Sequence, residues 1–408
     1  VIFKFLHVAD CHLGSPLRGL AARDADLAGR FDRAVWRAFE STVDVALAEK
    51  VAFMLIAGDV FDRDWRDWST GQAFVRTLAR ATEAGVRVVM IRGNHDAESI
   101  ISQRLPLPPG AVWLPADEPG SIDWPDLGVA VHGMSFREAA VSESIVERYP
   151  APLPGRFNIG LLHTSLDGRP DVDRYAPTSL EALVRKGYDY WALGHVHVRE
   201  VVRDAAPAVV FPGNIQSRSI RETGAKSVTL ATVDGGTVRL GAVPVDHARF
   251  ALVPVDLAGA SGPSDVDARV RDAVAAALPT AEGRLLAVRI RLEGETELAD
   301  ALSAARDTLR QELQTVVAAL PAAVAVEKVE VACRPRRDRP TGLAGLDIDA
   351  VLDAVVASDG VATAVAEDRA ITQSRLPHGA AGAATADDGA ILSAALALVR
   401  ARLAGADR

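Results

Sequence analysis

The run Met54-Leu55-Ile56-Ala57-Gly58-Asp59 constrains this chain more than any other stretch. Apolar residues lead without interruption into a glycine and a carboxylate. That reads as a buried strand delivering Asp59 to its C-terminal edge, where open α/β sheets bind ligands. A carboxylate so placed needs a cation or a hydrogen-bond network, because an unpaired buried charge is costly. Four other apolar runs end in the same manner, at Asp10 and His12, at Asn94 and His95, at His163, and at His195 and His197. Five of the nine histidines therefore sit at strand exits, a concentration that core packing does not account for. His132 and His247, outside these groups, read as ordinary core or surface histidines.

Between the strand exits the spacing predicts helices. From Arg30 to Glu49, Phe31, Val35, Phe39, Val43 and Leu47 recur every four positions and give one buried stripe. Ser69 is positioned to cap a second helix running to about Ala84, closed by Gly85. Strands are expected at Phe3 to Ala9, Val86 to Ile91, Val129 to His132, Asn158 to Leu162 and Tyr188 to Leu193. A Pro- and Gly-rich excursion, Leu105 to Pro125, interrupts them. Arg92 to Asp96 reads as a loop. Gly235-Gly236 reads as a tight hairpin turn between Ser227 to Val233 and Thr237 to Val243. Alternating strands and helices with polar residues at the strand exits define an α/β pattern.

Residues 1–245 form the expected first domain. A β-α-β-α-β unit over 246–335 is long enough for a small second one, with strands at Phe250 to Val255, Leu285 to Leu292 and Val324 to Val331 and helices at Val266 to Ala277 and Glu297 to Leu320. Residues 336–408 are expected to be a linker and a helical C-terminal region. The basic run Arg334 to Pro340 fits either a solvated connector or a nucleic-acid contact. A break is expected at Pro377-His378-Gly379, and the stripe Ile348, Val351, Leu352, Val355 and Val356 fits a partner or the chain's own domain. A net charge of −9 argues against broad coating by nucleic acid and only weakly against a local DNA groove. Arg outnumbers Lys 40 to 5, which in so Ala-rich a chain reflects composition more than recognition. The absence of a signal or membrane-spanning pattern gives the expectation of a cytoplasmic protein with no membrane partner. Cys11 and Cys333 are too few and too isolated for a disulfide framework, so any metal is held by nitrogen and oxygen.

In Asp10-Cys11-His12 and His195-Val196-His197, residues two apart share a face of an extended strand. Asp59 has two oxygens and can bridge two cations. A mixed set of carboxylate, amide and imidazole suits Mn2+, Fe2+ or Zn2+ better than Ca2+. Two such ions about 3.5 to 4 Å apart lower the pKa of a shared water and hold a phosphate across them, which is the chemistry of phosphoester hydrolysis.

On these residues the chain resembles the calcineurin-like metallophosphoesterase family, whose ordered pattern is D-x-H, G-D-x-x-D, G-N-H-[DE], H and G-H-x-H. Asp10 and His12, Asp59 and Asp62, Asn94 to Asp96, His163, and Gly194 to His197 meet it in order. The resemblance implies an α/β (α+β) four-layer αββα sandwich with a small α/β capping domain and a helical C-terminal tail. It implies two divalent ions, Mn2+ first and Fe2+, Zn2+ or Mg2+ as alternatives. One ion would take Asp10, His12, Asp59 and His197, and the other Asp59, Asn94, His163 and His195. His95 is then left beside the phosphate as the acid for the leaving oxygen.

The stretches Phe5 to Gly14, Ile91 to Asp96, Leu161 to Ser165, Tyr188 to His197 and Phe211 to Arg218 look like the SbcD-type DNA repair exonucleases, including the YhaO-like branch. That resemblance implies DNA as substrate, a two-metal-activated hydroxide, an SbcC-like coiled-coil ATPase partner and a homodimer. A small-molecule phosphodiesterase or phosphatase, and a DNA-end-binding scaffold subunit, are the alternatives. One position departs: several nucleases of that type carry His three residues after the bridging Asp, and this chain has Asp62. Arg63 and Arg66 are candidates for phosphates, Trp65 and Trp68 for unstacked bases. The Trp residues fit a loop anchor or dimer contact equally. Arg218 and Arg221 fit either the DNA backbone or pairing with Glu222.

Overall fold

The computed structural model describes residues 2–62, 68–97, 105–166, 175–336, 348–374 and 388–405. The chain divides into two compact units, Val1–Ala251 with Thr280–Leu286, and Leu252–Pro279 with Ala287–Arg408.

The first unit is built on two six-stranded sheets. Its strands are β1 (Ile2–Val8), β2 (Phe53–Ala57), β3 (Arg87–Ile91), β4 (Ala111–Trp113), β5 (Gly120–Trp124), β6 (Val129–Gly133), β7 (Phe157–His163), β8 (Tyr190–Gly194), β9 (Glu200–Arg203), β10 (Ala208–Phe211), β11 (Ser227–Asp234) and β12 (Thr237–Pro244). One sheet has the order β12-β11-β1-β2-β3-β4 and the other β5-β6-β7-β8-β10-β9. Within them β1, β2, β3 and β4 run parallel, as do β6, β7, β8 and β10, so strand exits collect at common edges.

Hydrophobic pattern explains the layers. Strands buried on both faces read as unbroken apolar runs. Their inward side chains make one core, with Phe5, Phe53, Leu55, Val89 and Ile91 from the first sheet meeting Val131, Ile159, Leu161 and Tyr190 from the second. Phe5 stacks on Phe53 at 5.0 Å and meets Tyr190 edge-on at 5.0 Å, geometries that the ring quadrupole favours. The outer face of the first sheet packs Leu6, Met54, Ile56, Val88 and Met90 against Val35, Phe39 and Val43 of helix Ala25–Ala48 and Phe74 and Leu78 of helix Trp68–Glu83. Leu162, Trp191, Leu193 and Phe211 cover the outer face of the second with Tyr149, Leu183 and Tyr188. The result is helix, sheet, sheet, helix. Asp24 caps the first of these helices through the Leu27 N–H, so it begins earlier than Arg30. Ser69 lies inside the second, which already includes Trp68. Gly235 and Gly236, both at positive φ, turn β11 into β12 as a two-residue hairpin requires.

The second unit holds a three-stranded sheet of order β13-β14-β16, from β13 (Ala248–Asp256), β14 (Leu285–Glu293) and β16 (Val324–Val331). A short parallel pair joins β15 (Glu295–Thr296) to β17 (Arg334–Pro335). Helix Pro263–Ala277 buries Val266, Val270 and Val274, and Arg289 forks onto buried Glu327 at 2.8 and 2.9 Å. The helix expected over Glu297 to Leu320 is two, Ala299–Ala304 and Arg306–Val317, broken at Ala305 without Gly or Pro there. Helices Ile348–Val356, Asp359–Ser374 and Asp388–Gly405 follow, and the expected break at Pro377 to Gly379 lies outside the described residues. Among the described residues no helix is long and apolar enough to cross a membrane.

Phe53 is fully buried between the sheets on the strand that leads to Asp59. Phe53→Ala is expected to lower unfolding free energy by about 3–5 kcal/mol, read by urea denaturation.

Candidate metal centre

The apolar strands deliver the site residues, but left-handed backbone turns them into it. Asp10, His12 and Asp59 have φ of 52°, 48° and 51°, and His195 has 100°. L-residues rarely adopt these values, and they persist where the surroundings overdetermine them. The Asp-x-His and His-x-His pairs are therefore not brought together by strand alternation, contrary to the expectation from spacing. Instead the loop after β1 zips onto the loop after β2: Asp10 N–H donates to Gly58 O at 3.1 Å, His12 N–H to Asp59 O at 3.0 Å, and Leu13 N–H to Val60 O at 2.9 Å. Gly58, Gly93 and Gly194 carry no Cβ where one would collide with His163, Asp59 and Ala57 O respectively.

Asp59, 1% exposed, lies between two groups. Oδ2 is 3.5 Å from His163 Nε2 and 3.9 Å from His12 Nε2, while Oδ1 accepts the His95 N–H at 2.9 Å. Ligand atoms of Asp10, Asp59 and His163 lie within 4.8 Å of one another, as do those of Asp10, His12 and His197. Asn94 Oδ1 is 3.0 Å from His163 Nε2. His195 donates its backbone N–H to both Asp10 oxygens at 3.1 and 3.0 Å, and its ring stands 5.2 Å from those of His163 and Tyr175. Donor atoms of six predicted ligands thus lie close together, while His195 is placed beside them by its backbone N–H and its ring.

Hydrogen bonds fix the tautomers. His163 Nδ1 donates to Ala57 O at 2.8 Å, and His197 Nδ1 to Glu222 Oε1 at 2.7 Å. In the neutral imidazoles this leaves both Nε2 atoms as lone pairs facing inward. One faces Asn94 Oδ1 and Asp59, and the other faces His12 Nε2 at 3.1 Å. The His163 lone pair, Asn94 Oδ1 and Asp59 Oδ2 need a proton or a cation between them, and the N/O donor set fits divalent ions. Electrostatics agree. Burial raises Asp59, but the nearby His163 and hydrogen bonds outweigh it and hold the carboxyl well below the usual range. Burial lowers His163, yet Asp59 and Asp10 push it up to about 9. Burial, Arg218 and His197 keep His12 neutral.

His95 stands on a one-turn helix, Asn94–Ala97, where a loop was expected. Asp96 makes that turn by accepting the N–H groups of Gly93, Val60 and Phe61 at 3.1, 3.0 and 2.8 Å. His95 Nδ1 donates to Asp62 Oδ1 at 2.8 Å, so the departure from the nuclease pattern at Asp62 is a carboxylate that orients the expected acid. Burial raises Asp62, but His95 and Ser15 hold it down to about 2.

Glu222 had a place in the sequence only as a charge partner for Arg218 or Arg221. Its carboxylate in fact holds His197, Asn214 Nδ2 at 2.9 Å and the backbone N–H of Arg218 at 2.7 Å, while the Arg218 guanidinium reaches Asp62 at 3.4 Å. The available signal was chemical: a metal-binding imidazole needs an acceptor on its other nitrogen. Arg221 is exposed on the same turn, its N–H on Ser219 Oγ at 3.3 Å. Trp68, 48% exposed, opens a helix, and Arg63, Trp65 and Arg66 lie outside the described residues. His132 and His247 make structural hydrogen bonds, to Ser121 and Asn158 and to Ser41.

Residues 3–199 match the family model for calcineurin-like phosphoesterases, and residues 250–334 match that for the middle domain of the metallophosphoesterase YhaO. Over its first 199 residues the chain is thus similar to the calcineurin-like phosphoesterases. More particularly, it is homologous to YhaO and Mre11. It is 33% identical over 248 residues to the metallophosphoesterase YhaO of Bacillus subtilis (57% of this chain, 58% of that one). It is 31% identical over 241 residues to the DNA double-strand break repair protein Mre11 of Aeropyrum pernix (54% and 55%). The chain thus spans little more than half the length of these relatives. A solved dimetal phosphatase from Danio rerio matches at 12% identity and a TM-score of 0.38, over 60% of this chain and 96% of that one.

Glu222→Ala is expected to weaken Mn2+ binding about 10- to 100-fold, with Glu222→Gln in between, measured by competition with a fluorescent chelator.

Proposed function

We propose that this chain is a metal-dependent DNA nuclease, an exonuclease with endonuclease activity as a second capacity, that works in DNA repair with an SbcC-like ATPase. The observation that carries the reading is the buried Asp59 carboxylate, standing between one group of Asp10, His12 and His197 and another of Asn94 and His163. Two divalent ions held there, Mn2+ first among them, would supply Lewis acidity toward water and phosphate. The chain's own groups do the rest. Asp59 and Asp10 supply negative charge for cation binding, and Glu222 and Ala57 O hold His197 and His163 with their lone pairs inward. His95, oriented by Asp62, holds a proton where the 3′ oxygen of the broken phosphodiester departs.

Similarity to Mre11 proteins, described as acting in DNA double-strand break repair, supports DNA as the substrate. Residues 246–335 would act as a capping domain on DNA, and 336–408 would meet the ATPase. A homodimer completes the reading. Asp62 favours a second reading, a small-molecule phosphodiesterase or phosphatase, because a carboxylate there is the general phosphoesterase pattern.

With Mn2+, the protein is expected to release mononucleotides from linear duplex DNA. His95→Ala should reduce the rate by about 10²- to 10⁴-fold with metal content unchanged, measured by product chromatography and elemental analysis. Cleavage of bis(p-nitrophenyl) phosphate without cleavage of any DNA would select the second reading.

A further inference from the structure

We infer that Arg218 is a substrate-binding residue whose guanidinium takes a non-bridging oxygen of the phosphoester at the corner bounded by Asp62, His95 and His12. The inference rests on the hydrolase reading and adds the phosphate contact that neither the metal ligands nor His95 supplies.

Ligand atoms of His12, Asp62 and His95 lie within 4.8 Å of one another, a spacing that by itself suits a cation. Arg218 stands at that corner, its Nη1 3.4 Å from Asp62 Oδ2, and a fixed positive charge there disfavours a further cation. It favours an anion. The guanidinium has five N–H donors in a rigid fork, matched to carboxylate and phosphate oxygens. Among the described residues, one long contact to a single Asp62 oxygen leaves that fork under-used, and Nε is buried with no acceptor. A buried donor without a partner is costly, so the arrangement suits a group that arrives with its own oxygens. The side chain is 18% exposed, which is compatible with contact from the open side.

The backbone beneath it is held. The Arg218 N–H donates to Glu222 Oε2 at 2.7 Å, Ser217 Oγ to Glu222 O at 2.6 Å, and Gln216 Nε2 to Ala248 O at 2.6 Å. Because Glu222 also holds His197, the turn carrying the cation is tied to a predicted metal ligand.

The test compares wild type, Arg218→Ala and Arg218→Lys, all loaded with Mn2+. Calorimetry reads the affinity for inorganic phosphate, and initial rates on bis(p-nitrophenyl) phosphate separate KM from kcat. Arg218→Ala is expected to raise both the phosphate Kd and the KM by about 10- to 100-fold, with Mn2+ affinity unchanged. Lys should recover part of the loss, as a point charge in place of a fork. Phosphate affinity and KM unchanged in Arg218→Ala would overturn the inference, and so would loss of Mn2+ binding together with activity. If the wild type is inert toward the diester yet binds phosphate in an Arg218-dependent manner, the hydrolase reading fails while the anion contact stands.

Discussion

The structure of the first unit turns on the burial of one carboxylate. Asp59 is almost sealed from solvent and sits beside Asp10, and two such charges are tolerable only with compensation close at hand. The His95 N–H supplies part of it, donating to Asp59 Oδ1. The imidazoles of His163 and His197 are oriented from behind by an acceptor each, Ala57 O for His163 and Glu222 for His197. These bonds turn lone pairs toward the carboxylates, leaving a centre whose electrostatics call for cations.

Rigidity of the sandwich makes this arrangement sustainable. The aromatic cluster of Phe5, Phe53 and Tyr190 fixes β1, β2 and β8 relative to one another, and those strands lead directly into the loops that hold Asp10, Asp59 and His195. Left-handed backbone at these three residues is held by the loop-to-loop hydrogen bonds and by glycines that let neighbouring segments approach. Packing energy far from the centre thereby sustains strain within it.

Much of this was legible in the sequence, because unbroken apolar runs specify buried strands and the polar residues after them stand at their exits. The four layers, and the placing of Asp10, His12, Asp59, Asn94, His163 and His197 near one another, follow from that pattern together with the family resemblance. What escaped was set by tertiary hydrogen bonding. Strand alternation predicts that Asp10 and His12 share a face, yet both residues lie beyond β1 in left-handed backbone. Asp96 builds a helical turn under His95 by reaching across to Val60 and Phe61, partners more than thirty residues away in the chain. Glu222 acts through an imidazole twenty-five residues earlier, and no local period marks it. Ala305 interrupts a helix with no breaker in the sequence.

The central claim is that Asp59 is shared between two cations. Anomalous diffraction from crystals grown with Mn2+ tests it most directly. Two peaks about 3.5 to 4 Å apart, one on each side of the Asp59 carboxylate, are the result predicted. A single peak away from Asp59, or none at saturating Mn2+, would contradict the account.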